Sequence, residues 1–153
     1  MLLSKSCIYG LRASIYIAST RDEQFMSIRE IADKLDISFH FLTKILQALT
    51  QEGIMNSYRG PKGGIMLAKN ANTISIFDIV KAIDGNEVFT ECFLGLPHCG
   101  SATPCPLHEQ WAGIRANIAK VLATTTLADL AAKVSTLHYR LTENDIIALT
   151  KKV

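Results

Sequence analysis

Residues 38–67 read SFHFLTKILQALTQEGIMNSYRGPKGGIML, and two different periodicities meet at the Glu52-Gly53 break. In the first half Leu42, Ile45, Leu46 and Leu49 recur at i, i+3, i+4 and i+7, the spacing of one buried helical stripe. Ser38 stands where a cap belongs, and His40, Thr43, Lys44 and Gln47 fall on the outward face. In the second half, Ile54 to Arg59 and Ile65 to Leu67 read as short strands around Gly60-Pro61-Lys62-Gly63-Gly64, a hairpin tip.

Upstream, Ser27-Ile-Arg-Glu30 has the pattern of a capping box, and Ile28, Ile31, Ala32 and Leu35 form the buried stripe of a helix running to about Asp36. Before it, Ile8, Leu11, Ile15 and Ala18 predict a helix over residues 4–20. Helix, helix, helix, hairpin is a winged helix-turn-helix. The expected fold class is mainly α with a small β-hairpin wing, followed by a long dimerisation helix.

Downstream, Ser75-Ile-Phe-Asp78 opens a helix through Ile79, Val80 and Ile83 that ends near Asp84-Gly85. A loop follows over residues 89–104, broken by Gly95, Pro97, Gly100 and Pro104. Pro106 suits the first turn of the next helix, where a missing N–H costs nothing. In that helix Leu107, Trp111, Ile114, Ile118 and Val121 alternate steps of four and three, the apolar seam of paired helices. Thr126 to Asp129 and Thr142 to Asp145 repeat the capping pattern before Leu130 and Val134, and before Ile146, Ile147 and Leu149. The expected division is a DNA-binding domain over 1–85, a cysteine loop over 86–106, and a dimerisation helix with a helical tail over 107–153.

The 153 residues are 48% hydrophobic and 20% charged, a globular balance. A net charge of +2 gives no global argument for nucleic acid. Its distribution does: Lys44, Arg59, Lys62 and Lys69 face the single acid Glu52 within residues 38–69. Ser4, Lys5, Arg12 and Arg21 interrupt the apolar N-terminal residues, so no signal peptide is expected there. No apolar run reaches membrane-spanning length, and a cytoplasmic protein is expected. No constellation of general acid, base and nucleophile is visible, and Glu91 and Glu109 have no evident partner, so an enzyme is not expected.

Cys7 stands alone and reads as a small core residue, whereas Cys92, Cys99 and Cys105 cluster. In a reducing compartment such a cluster is more often a metal or redox site than a disulfide framework. Wide gaps on a loop suit the bulk of an iron–sulfur cluster better than the short gaps of a zinc knuckle. Cys105 is expected at the N-cap of the Pro106 helix, with His108 on the same side of its first turn. A cluster-free thiol switch and a zinc-stabilised repressor stay open as alternatives. His98 reads as a solvated loop residue.

The helix-turn-helix, the Arg59-Gly60-Pro61-Lys62-Gly63-Gly64 wing, the Asp84 ending and the three-cysteine loop before a long helix together resemble the iron–sulfur cluster regulator family. The resemblance, to IscR-like and NsrR-like winged-helix regulators, covers roughly residues 3–132. It implies a dimeric transcriptional regulator that binds a double-stranded DNA operator and senses iron–sulfur, redox or nitric oxide status. Cys92, Cys99 and Cys105 match the family's cluster cysteines, and His108 matches the histidine ligand of the IscR-like branch. A 2Fe–2S cluster is favoured, with 4Fe–4S possible. Ser38, His40, Thr43, Lys44 and Arg59 fall where such regulators touch DNA, and Gln47 and Lys62 extend that face. Two positions depart from the IscR pattern: six residues rather than five separate Cys92 from Cys99, and Thr43 replaces a glutamate. In the NsrR-like branch an acid on the partner's first helix completes the site; Ile8, at the matching position here, cannot ligate.

Overall fold

The computed structural model describes residues 2–20 and 24–145. Helix α1 spans Lys5–Ser19, with the Ser4 hydroxyl accepting from the Cys7 amide at 3.0 Å. Helix α2, Ile28–Leu35, and helix α3, Phe39–Gln51, are joined by a turn in which Asp36 takes a left-handed conformation. Their inward stripes, Ile31, Ala32 and Leu35 on α2 and Leu42, Ile45, Leu46 and Leu49 on α3, are all buried. Each large aliphatic side chain so buried contributes about 1.5–3 kcal/mol.

Strands β1, Met55–Tyr58, and β2, Gly64–Leu67, pair antiparallel from Met55 opposite Leu67 to Tyr58 opposite Gly64. The wing is also tied to the start of α2. The Met26 amide donates to the Ile65 carbonyl at 2.9 Å, and the Ile65 amide returns the bond at 2.8 Å. Gly64 is required at this join, because a Cβ there would lie 2.1 Å from the Met26 carbonyl oxygen.

Helix α4, Ile76–Asp84, opens on the complete Ser75–Asp78 capping box and buries Ile76, Ile79 and Val80. Helix α1 crosses it at Gly10, where a Cβ would come within 2.3 Å of the Ile83 side chain. At the same end the Ser4 amide donates to the Asp84 carboxylate at 2.8 Å, and the Ser4 hydroxyl donates to its other oxygen. One helical turn, α5, follows at Glu87–Thr90. Helix α6, His108–Thr124, packs on α4 and α5, and helix α7, Leu127–Leu137, packs on α1 behind a complete Thr126–Asp129 capping box. The corner between α6 and α7 is stitched to the start of α4: the Ile76 amide donates to the Thr125 carbonyl at 3.0 Å, and the Leu127 amide to that of Ile74 at 2.8 Å.

Three local expectations are corrected. Ser27 and Ser38 occupy the N-cap positions of α2 and α3, yet neither hydroxyl makes a capping bond. The entry to α2 is fixed by the Met26 pairing and that to α3 by the turn at Asp36, so backbone geometry replaces the side-chain cap. Helix α6 starts at His108 rather than at Pro106, because Cys105 to His108 form a turn closed by the His108 amide on the Cys105 carbonyl at 3.0 Å. Cys105 therefore lies outside the helix and is not its N-cap. The helix expected through Ile146, Ile147 and Leu149 lies outside the described residues.

Candidate functional site

The loop between α5 and α6 folds back on itself. The Gly95 amide bonds to the Cys92 carbonyl at 3.0 Å, with Gly95 and His98 both at positive φ, and the Thr103 amide bonds to the Gly100 carbonyl at 3.3 Å. These turns bring Cys92 Sγ within 3.6 Å of Cys105 Sγ, and Cys99 Sγ within 3.4 Å of His108 Nδ1. All three thiols are free; Cys92 is buried, and Cys99 and Cys105 are half-buried. Backbone N–H groups of Leu96, chiefly, and Leu94 favour the Cys92 thiolate and pull its pKa below the usual thiol value, with further help from the neighbouring sulfurs of Cys105 and Cys99. Cys105 moves up: the Leu107 amide favours its thiolate, but burial and the adjacent Cys92 outweigh that bond.

Two sulfurs bound to one tetrahedral metal at about 2.3 Å stand about 3.8 Å apart. The Cys92–Cys105 separation is close to that value, and the Cys99–His108 contact is close to what a sulfur and a nitrogen on one metal require. The donors thus form two pairs. Among the described residues no three His, Cys, Asp or Glu side chains are arranged to hold a single metal ion. Three thiols and one imidazole, in two pairs on a loop and a helix start, fit the donor set of an iron–sulfur cluster.

Helix α6 holds the loop from behind. Trp111 Nε1 donates to the Glu91 carbonyl at 2.9 Å, and its ring meets Phe93 edge-on with centroids 5.1 Å apart. Arg115 Nη1 donates to the Thr90 and Glu91 carbonyls at 2.8 and 2.5 Å and lies 3.9 Å from Cys99 Sγ. His98 is exposed in the loop. Cys7 is fully enclosed in the main core, where burial, chiefly, and the nearby Asp84 carboxylate push its thiol up to about 12.

A second concave surface lies between α3 and the wing, a groove of about 730 Å³. Thr43, Gln47 and Arg59 line it; Ser38, His40, Lys44 and Lys62 are exposed outside its lining. The Thr43 hydroxyl donates to the Phe39 carbonyl at 2.7 Å, which leaves it only an acceptor for an incoming ligand. His40 leans on Phe39 with ring centroids 5.4 Å apart.

This order of elements, with the cysteine loop ahead of α6, carries the signature of a family described as iron-dependent transcriptional regulators, Rrf2, matched over residues 3–133. The chain belongs to the Rrf2 family. It is 34% identical over 131 residues to the HTH-type regulator NsrR of Oceanobacillus iheyensis, covering 85% of this chain and 89% of that one. Among solved structures it is similar to CymR, the global cysteine regulator of B. subtilis, with a TM-score of 0.72 and 31% identity over 85% of this chain and 95% of that one. It is also similar to T. potens IscR, with a TM-score of 0.71 and 25% identity over 90% and 91%. As an Rrf2 protein it is a winged-helix transcriptional regulator, from a family of regulators rather than enzymes. No helix among the described residues is long and apolar enough to cross a membrane.

Two residues of this Rrf2 chain escaped the sequence reading. Arg29 lines the groove with its guanidinium 4.8 Å from the Phe39 ring centroid. Its signal was its place in the first turn of α2, facing the outward stripe of α3. Arg115 was discoverable from spacing, since His108, Trp111 and Arg115 stand at i, i+3 and i+7 on one face of α6.

Proposed function

We propose that this Rrf2 regulator binds operator DNA as a dimer and that an iron–sulfur cluster on Cys92, Cys99, Cys105 and His108 sets its operator affinity. The observation that carries the reading is the pairing of Cys92 with Cys105 and of Cys99 with His108 at 3.6 and 3.4 Å. When bound, the cluster would supply a redox-active and nitric oxide-reactive centre; Cys92, Cys99, Cys105 and His108 would hold it, and Trp111, bonded to the Glu91 carbonyl, ties the loop that carries it to α6. Two donor pairs suit a polynuclear centre, and the 2Fe–2S form is the simpler match. A dimer is supported by α6, which leaves Ile114 and Val121 50% and 59% exposed on its outer side. On DNA, α3 enters the major groove with His40, Thr43, Lys44 and Gln47, while Arg59 and Lys62 of the wing reach the neighbouring backbone or minor groove. Ser38 at the start of α3 is placed for a phosphate.

The test is the absorption spectrum and the iron and sulfide content of protein purified without oxygen. Visible charge-transfer bands that are lost in Cys92→Ser, Cys99→Ser and Cys105→Ser are expected, followed by different operator affinities for the loaded and cluster-free forms. Colourless protein containing neither iron nor sulfide would sink the cluster reading.

A thiol-based reading has its own observation. The likeness to CymR coincides with free Cys92 and Cys105 sulfurs 3.6 Å apart, a short movement from a disulfide. Under that reading mild oxidation of metal-free protein forms a Cys92–Cys105 disulfide and changes operator affinity. Stoichiometric zinc with no colour would instead identify a zinc-stabilised repressor of the same fold.

A further inference from the structure

We propose that Arg115 is a positioning residue that raises the reduction potential of the cluster by holding a buried positive charge against the Cys99 sulfur; this rests on the cluster reading above. Arg115 is 9% exposed and is the one buried residue of α6. Its Nη1 donates to the Thr90 and Glu91 carbonyls and lies 3.9 Å from Cys99 Sγ, and its Nε has no hydrogen-bond partner. Among the described residues no carboxylate pairs with it, the only ion pair being Lys34 with Asp145.

A buried guanidinium without a counter-ion is unfavourable, and carbonyl dipoles compensate it only in part. The group it faces that can carry a full negative charge is the Cys99 sulfur, which metal coordination deprotonates outright. A purely mechanical role does not require the charge, because the neutral indole of Trp111 already clamps the Glu91 carbonyl at 2.9 Å. What the cation adds is electrostatic. A one-electron reductant converts one ferric iron to ferrous without making or breaking a protein bond, so the site gains one negative charge. A nearby cation and a donor on a ligand sulfur both stabilise that added charge and raise the potential.

Anaerobic titration with dithionite of the wild type, Arg115→Gln and Arg115→Lys, followed by visible absorbance and electron paramagnetic resonance, tests the proposal. At equal iron and sulfide content, Arg115→Gln is expected to shift the oxidised-to-reduced ratio at fixed potential at least tenfold toward oxidised. That is a fall of about 59 mV for one electron. Arg115→Lys, which keeps the charge on a different geometry, is expected to restore at least half of the difference. Equal shifts in both variants, or none in either, would overturn the role of charge. Loss of the cluster from both variants with helix content and dimer intact would make Arg115 a structural clamp and overturn the proposal as well. A colourless, iron-free wild type removes the cluster reading and this inference together, whereas a coloured wild type with an unshifted glutamine variant removes the inference alone.

Discussion

At Cys7 the thiol is closed off from solvent and its pKa stands near 12, chiefly through burial. A thiol that holds its proton more tightly when folded contributes stability that is intact below its unfolded pKa and is lost as pH rises through the folded value. Between about pH 9 and 12 the wild type should therefore lose stability faster than Cys7→Ala, as read from urea midpoints across that range. Parallel pH curves would show that Cys7 does not titrate in this way. A second residue-scale expectation concerns Lys44 and Arg59, both exposed on the face of α3 and the wing. Alanine at each should weaken operator binding and lower the log–log salt slope by about 0.9 per lost phosphate contact. Unchanged affinity and slope in both variants would move the DNA surface elsewhere. The residues legible in the sequence are those whose type constrains their chemistry. Cys92, Cys99, Cys105 and His108 marked a candidate site by identity and spacing, and the structure brings them together in two pairs. Arg115 shares a face of α6 with His108 and Trp111, but its residue type alone did not mark it, because an arginine on an amphipathic helix reads as solvated until tertiary packing closes over it. Which sulfur meets which partner likewise depends on loop turns at Gly95 and His98 that no periodicity encodes.

Among the elements, those stabilised locally were the readable ones. The capping boxes at Ser75–Asp78 and Thr126–Asp129 form as the sequence predicts, since both partners lie within one turn of chain. The Ser27 and Ser38 caps do not form: the long-range Met26–Ile65 bridge sets how the chain enters α2, and the left-handed turn at Asp36, closed by the Ile37 amide on the Ala32 carbonyl, sets how it enters α3. Cys105 was misplaced for a related reason: Pro106 tolerates a first helical turn but does not compel one, and the Cys105–His108 turn takes precedence. Thr126→Ala should cost about 1 kcal/mol of unfolding free energy, measured by chemical denaturation, because it strips the cap from α7. No loss would mean that the stitched corner alone holds the helix start. In the wing, Gly64→Ala should force β2 away from Met26, lowering stability by about 1–3 kcal/mol and weakening operator binding together. Wild-type stability with normal affinity would show that the join can relax around a methyl group.

For the whole molecule, α6 is packed on one side by α4 and α5 and leaves Ile114 and Val121 open on the other. If the proposed dimer pairs through this face, Ile114→Glu with Val121→Glu should leave a folded monomer by light scattering and should collapse operator affinity, because two half-sites about one helical turn apart are then no longer read together. A dimer that survives both charges would place the interface on another face. The stitched corner at Thr125 gives α6 a mechanical character. One end is pinned to the start of α4 by two backbone hydrogen bonds, while the other, at His108, carries the cysteine loop and its clamps, with α4 and α5 packed along the inner side between them. A shift at the loop end would therefore turn the helix about the corner at Thr125. Its 17 residues make an arm of about 25 Å, so a displacement of about 2 Å at the His108 end swings the whole rod by roughly five degrees.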